Sequence, residues 1–121
     1  MTRHAFRLLL AGGLLLLPAT GRADPPIEQV YQTYCVQCHG LKRNGSGINL
    51  PALSVRPRDH TDSKAMGDTP DEELFKAIKE GGLSVNKSIL MPAWGGVLSD
   101  TQVTEMVKYL RKTCHCGTGT E

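Results

Sequence analysis

Aromatic side chains are scarce in this chain of 121 residues, where Phe, Tyr and Trp make up 5%. Beyond the N-terminal leader described below, Tyr31, Tyr34, Phe75, Trp94 and Tyr109 are all there is. A domain this small has a high surface-to-volume ratio, and few large rings leave its core marginal. Small scaffolds of this kind gain stability from a staple: disulfides, a metal or a cofactor. Charge of one sign is lacking too. There are 14 Lys and Arg against 12 Asp and Glu, and Arg3, Arg7 and Arg22 belong to the leader, so 11 basic residues remain. A near-neutral chain without a basic patch excludes nucleic acid as a partner, and the absence of an acidic run excludes a solvating tail. Repeats, low-complexity segments and alternating strand-like runs are missing as well. The one sizeable apolar run, residues 8–17, is about half the ~20 residues that span a bilayer, so no stable membrane anchor is expected.

The N-terminus reads MTRHAFRLLLAGGLLLLPATGRADPP. Arg3 and Arg7 precede the apolar run, Pro18 breaks it, and Gly21-Arg22-Ala23 offers a small-residue cleavage site. This is a secretory signal peptide over 1–23, cleaved after Ala23. The mature chain, 24–121, is one domain, and its cysteines work in an oxidising compartment.

Three stretches carry helical periodicity. The first spans residues 26–36, where Ile27, Val30, Tyr31 and Tyr34 recur after Pro26 at the start. The second is TPDEELFKAIKEGG, with Thr69 as N-cap, Thr69 and Glu72 at capping-box spacing, an acidic first turn, and Gly81 at its end. The third runs from Ser99 to about Lys112, with Ser99 and Gln102 at the same spacing and Val103, Met106, Val107 and Leu110 on one face. Residues 40–68 and 81–98 read as long irregular stretches. Segments this long are uncommon in a small domain unless something other than helix or sheet organises them. The class is all-α, three main helices and long loops, with room for a buried ligand.

The chemistry lies in CVQCHG, residues 35–40. A C-x-x-C pair followed by His fits a redox dithiol, half a zinc site, or a c-type haem attachment. Zinc needs four ligands, and Cys114 and Cys116 stand in a C-x-C spacing poor for a zinc ribbon. The redox reading needs a βαβ context, which the chain does not offer. Haem explains all three residues together: each thiol adds across a vinyl group, and the adjacent imidazole reaches iron.

With that motif, the mature chain resembles the small monohaem class I cytochromes c. The resemblance covers residues 26–113: a helix ending in CVQCHG, a loop region, a middle helix, MPAWGG, and a C-terminal helix ending in VKYLRK. It implies the cytochrome c fold around one haem c, with thioethers on Cys35 and Cys38 and His39 as proximal iron ligand. It also implies that the N- and C-terminal helices cross, with Tyr31 and Tyr109 at aromatic positions; Ile27 stands where a small residue is usual. For the sixth iron position the candidates are Met66, Met91, Met106, His60 and His115. Met106 lies on the apolar stripe of the last helix and His115 near the terminus. Met91, beside Pro92 in an apolar loop, is the ligand the resemblance implies, ahead of Met66 and then His60. The thioether of a His/Met pair favours Fe(II) and raises the reduction potential; with both axial sites filled, the chemistry is the passing of one electron.

Other residues have two readings each. Trp94 reaches a propionate or packs and bonds a carbonyl. Arg56 and Arg58 pair with propionates or stand in solvent. The Pro51 carbonyl is the expected acceptor for the second ring N–H of His39. Lys42, Arg43, Lys79 and Lys87 ring the haem edge and steer an acidic partner, or form an ordinary charged surface. Cys114 and Cys116 close a small disulfide ring, stay reduced, or link two chains. The expected function is a soluble periplasmic carrier that meets an electron donor and an acceptor transiently. Its rivals are a haem enzyme or sensor with a displaceable sixth ligand, for which His60 is the candidate distal group, and an electron-entry subunit docked on a larger respiratory complex.

Overall fold

The computed structural model describes residues 23–117; the leader expected over 1–23 lies outside the described residues save for Ala23. Among the described residues there are helices and no strand. Helix α1, Ile27–Tyr34, starts where the Pro26 carbonyl accepts from the amides of Gln29 (2.9 Å) and Val30 (3.2 Å). Its apolar spacing buries Val30 and Tyr31. The single helix expected over 26–36 breaks at Cys35 (φ −105°, ψ −32°) and resumes as α2, Val36–His39. The break sets Cys35 at a hinge, with Cys38 and His39 on the short turn that follows.

Helix α3, Ser63–Gly67, lies inside the stretch read as irregular. Its signal is local and small: the Asp62 side chain accepts from the Ala65 amide and caps a single turn. Met66 is therefore fully buried in the core instead of sitting in a polar loop. Helix α4, Asp71–Glu80, has the acidic first turn and ends at Gly81 as expected. The Thr69–Glu72 capping box does not form. Pro70 holds the N-cap position, and the Thr69 hydroxyl donates back to the Ala65 carbonyl (2.9 Å) because α3 ends beside it. Helix α5, Asp100–Cys114, does carry its capping box: Ser99 Oγ accepts from the Gln102 amide (3.2 Å) and Gln102 Oε1 from the Ser99 amide (3.0 Å).

Helices α1 and α5 pack through Tyr31 and Tyr109, ring centroids 5.4 Å apart, with Val30, Val103, Met106, Val107 and Leu110 buried around them. Ile27 packs at the edge of this core and does not prevent the contact. Leu74 and Ile78 of α4 complete it. Two arginines lock the layers. Arg43, just past α2, donates to the Tyr109 hydroxyl (2.5 Å) and to Glu28 (2.9 Å), with its guanidinium over both tyrosine rings. Arg111 of α5 donates to Asp71 (2.7 Å) and to the carbonyls of Met66 (2.5 Å) and Thr69 (2.6 Å), fixing the α3–α4 junction.

The second irregular stretch is a folded-back loop. It opens with a 3-10 turn, Gly82–Val85, and a left-handed Asn86 (φ 58°). The Gly82 amide bonds the Met91 carbonyl (3.0 Å), and Trp94 and Gly95 amides bond the carbonyls of Ile78 and Lys79. A Cβ on Gly82 would come within 2.3 Å of the Ser88 carbonyl oxygen and 3.2 Å of the Met91 side chain, so only glycine lets the loop close this tightly.

Candidate functional site

The elements leave a cleft of about 1010 Å³ between them, at the upper end of the range for small-molecule and cofactor sites. One wall comes from α1, α2 and residues 53–62, including Cys35, Cys38, His39, Arg56, Pro57, Arg58 and His60. The other comes from α4 and the folded-back loop, with Leu74, Ile78, Val85, Leu90, Met91 and Trp94. Met106 and Leu110 of α5 close the back. A cleft this size in so small a chain explains the thin aromatic core: the wall residues meet space that an apolar, plate-sized group would fill.

The turn bearing the two thiols is held by the loop after it. The amides of Gly45, Gly47 and Asn49 bond the carbonyls of His39 (2.9 Å), Cys38 (3.0 Å) and Gln37 (2.9 Å), so the last carbonyls of α2 are satisfied. Gly47 lies so close that a Cβ there would sit 2.3 Å from the Gln37 oxygen and 2.5 Å from the Cys38 carbonyl. Both thiols are free and half-buried. Burial and the neighbouring Cys38 push the Cys35 thiol up to about 12, so it stays protonated S–H.

His39 Nδ1 lies 3.0 Å from the Arg58 carbonyl, not that of Pro51. Pro51 sits inside a 3-10 turn, Leu50–Ala52, and the segment at residues 57–58 passes the imidazole instead. The contact is a donation from Nδ1–H and leaves Nε2 with the lone pair. His60 stacks on His39, centroids 4.1 Å apart and 19° from parallel, and His60 Nδ1 pairs with the Tyr31 hydroxyl (3.0 Å). The His60 amide is tied to the Arg43 carbonyl (2.8 Å). Burial pulls both imidazoles below the ordinary histidine range; His39 is partly restored by the Arg58 carbonyl, and His60 is lowered further by His39 and Arg58. Burial also raises the Tyr31 phenol, keeping it neutral as a partner for His60.

Of the sixth-position candidates, the structure brings Met91 and Met106 to the cleft, together with His60 on the His39 wall. Met66 is in the core and does not line it, nor does the exposed His115, which caps α5 in a left-handed conformation (φ 52°). Met106 is 2% exposed on the core face of α5. Trp94 lines the cleft with its ring tilted onto Tyr34 (5.2 Å). Arg56, Arg58 and Lys87 reach the cleft; Arg43 and Lys79 do not, being engaged with Tyr109 and Glu28 and with Asp100. Cys114 and Cys116 are joined in a disulfide away from the cleft. The interlock of Arg43, the His60 stack and the Arg58 carbonyl went unread in the sequence, because each depends on where a turn-rich loop crosses the His39 wall.

Helices crossing over a cleft that a C-x-x-C-H turn edges define a c-type cytochrome domain with the all-α cytochrome c fold, whose chemistry is haem-based electron transfer. A family profile described as cytochrome c oxidase, cbb3-type, subunit III matches residues 22–110, and the chain belongs to that family. A search among curated proteins gives no match. The donor set fits the haem c that the family implies: two free thiols, a half-buried imidazole with one nitrogen committed, and a thioether on the loop wall. Among the described residues no helix is long and apolar enough to cross a membrane.

Proposed function

We propose that the mature chain, 24–121, is an exported one-electron carrier with a single haem c, working in the periplasm after removal of 1–23. Cys35 and Cys38 would hold the haem through thioethers, His39 Nε2 and Met91 Sδ would bind its iron, and the cofactor would supply a one-electron Fe(III)/Fe(II) couple. The observation that carries this reading is the His39 imidazole, tied through Nδ1 to Arg58 and braced by His60, in a cleft that Met91 also lines.

The chain's own residues then set the terms of transfer. The Arg58 carbonyl fixes the His39 tautomer and strengthens Nε2 as a donor. His60 and Tyr31 stop the ring from rotating. Closure of the 81–94 loop through Gly82 and Pro92 presents Met91 without a search of conformations. Arg56, Arg58 and Lys87 offer positive charge at the cleft to the haem propionates. With His39 and Met91 both engaged and held by the rigid wall around them, the chain's own residues would shift little between oxidation states.

A subunit of a larger respiratory assembly is the second reading. It is favoured by the family's description and by apolar side chains beside the cleft that do not line it: Leu83 and Ile89 are 65% and 74% exposed. A free carrier runs as a monomer and copurifies with nothing. A subunit is recovered from native membranes within an oxidase.

The optical spectrum of the holoprotein tests the ligand set. The ferric form is expected to show the weak near-infrared band of sulfur–iron ligation, and the reduced form to resist carbon monoxide. Met91→Ala removes the band and opens iron to carbon monoxide. An unchanged spectrum in Met91→Ala contradicts the assignment.

A further inference from the structure

The electron-carrier reading leaves Cys114 and Cys116 unused. They form a disulfide across one intervening residue, at the C-terminal end of α5 and away from the cleft. As a staple it does little. A bridge between near neighbours closes the smallest of loops, and loop closure stabilises least there. The segment is already held: Ser63 Oγ donates to the Cys114 carbonyl (2.5 Å), and the Cys116 amide bonds the Arg111 carbonyl (3.3 Å).

The two sulfurs differ in their surroundings. Cys114 is fully buried, with Sγ 3.4 Å from the Arg111 carbonyl, an acceptor for its S–H once reduced. Cys116 is only partly buried, and its Sγ lies 3.8 Å from Arg111 Nη1. That guanidinium is fixed by Asp71, Met66 and Thr69, so a cation is held beside the Cys116 sulfur. A thiolate is favoured by a neighbouring cation and disfavoured by apolar burial. The pair therefore has one partly buried sulfur beside a cation and one fully buried sulfur beside a carbonyl.

We propose that Cys114 and Cys116 form a thiol–disulfide exchange site, with Cys116 as the sulfur that meets a dithiol partner and Cys114 as the resolving thiol. A partner thiolate attacks Cys116 Sγ. The Cys114–Cys116 bond breaks, and Cys114 leaves and takes a proton. The partner's second thiolate then attacks its own sulfur in the mixed disulfide, releasing Cys116 as a thiolate beside Arg111. Two electrons pass to this chain, two partner thiol protons are released to Cys114, Cys116 or solvent, and the partner becomes a disulfide. The reverse reaction, with Cys116 as nucleophile, oxidises the dithiol here.

The test uses the folded holoprotein, dithiothreitol as the dithiol and iodoacetamide as the label. Dithiothreitol is expected to expose two thiols, reversed by its oxidised form. Under limiting iodoacetamide, peptide mapping of the reduced protein finds Cys116 labelled at least about ten times faster than Cys114. Cys114→Ser forms a mixed disulfide with oxidised glutathione, and Cys116→Ser does not. A bridge that resists dithiothreitol until the protein unfolds, equal labelling, or faster labelling of Cys114 overturns the proposal; the mapping needs no variant. Cys35 and Cys38, as thioethers, stay unlabelled. Label at those two positions counts against the haem assignment and leaves the exchange site standing.

Discussion

Arg111→Ala removes the clamp at the α3–α4 junction. Two of its hydrogen bonds run from a charged group to the carbonyls of Met66 and Thr69, at 2.5 and 2.6 Å. Bonds of that kind contribute about 1.5–3 kcal/mol each. The pairing with Asp71 adds less than about 1 kcal/mol, because that carboxylate is 59% exposed. Water enters the space left behind and bonds part of the orphaned carbonyls, so the expected net loss is about 3 kcal/mol. For a domain of this size that is a fall of roughly 12–24 °C in Tm. The assay is urea unfolding of the holoprotein followed by far-ultraviolet circular dichroism, which compares midpoints at constant slope. Arg111→Lys, with the charge but not the fork, is expected to recover only a minor part. A loss below about 0.5 kcal/mol in Arg111→Ala, at the surface-substitution level, contradicts a clamp in which one side chain fixes both helices.

Two further substitutions probe the cleft wall. Gly47→Ala forces a Cβ against the Gln37 and Cys38 carbonyls; the loop must back away from the C-x-x-C-H turn. The yield of haem-loaded protein is expected to fall several-fold, read as haem absorbance per mole of exported chain, and normal loading would contradict the role given to this contact. His60 makes stability pH-dependent with a definite sign. Its folded pKa lies well below the ordinary histidine value of about 6.5, so between those values the unfolded chain binds the proton and the folded one does not. Stability is then full above about pH 6.5 and falls as pH drops below it, by at most ~1.4 kcal/mol per unit for this group. His60→Gln is expected to flatten urea midpoints between pH 7 and 5; parallel slopes in both proteins would count against a buried neutral His60.

The features legible in the sequence were those written in short-range pattern. Helix α5 needed only its apolar stripe and the Ser99–Gln102 spacing, and it formed with its capping box intact. The CVQCHG motif likewise carries its own signal, whereas the crossing of Tyr31 with Tyr109 came only with the resemblance to the cytochromes c. What escaped depended on chain crossing in space. Thr69 reads as an N-cap, yet its hydroxyl turns back to Ala65 because α3 ends beside it. Pro51 reads as the partner of His39, yet residues 57–58 take that place. Arg43 reads as haem-edge or ordinary surface charge, while the fold turns its forked donors onto the Tyr109 hydroxyl and Glu28, and the clamp of Arg111 on the Met66 and Thr69 carbonyls has no signal in the sequence. No periodicity encodes such contacts, since each joins segments far apart in the chain.

The most direct test of a haem fixed to Cys35 and Cys38 is the mass of the peptide that contains residues 35–39. The measurement is made after protein from a host that matures c-type cytochromes has been denatured and digested. This peptide is expected to carry one haem through two thioethers, and acidified organic solvent is expected to extract none from the intact chain. A peptide of unmodified mass, or a haem that washes free, contradicts it.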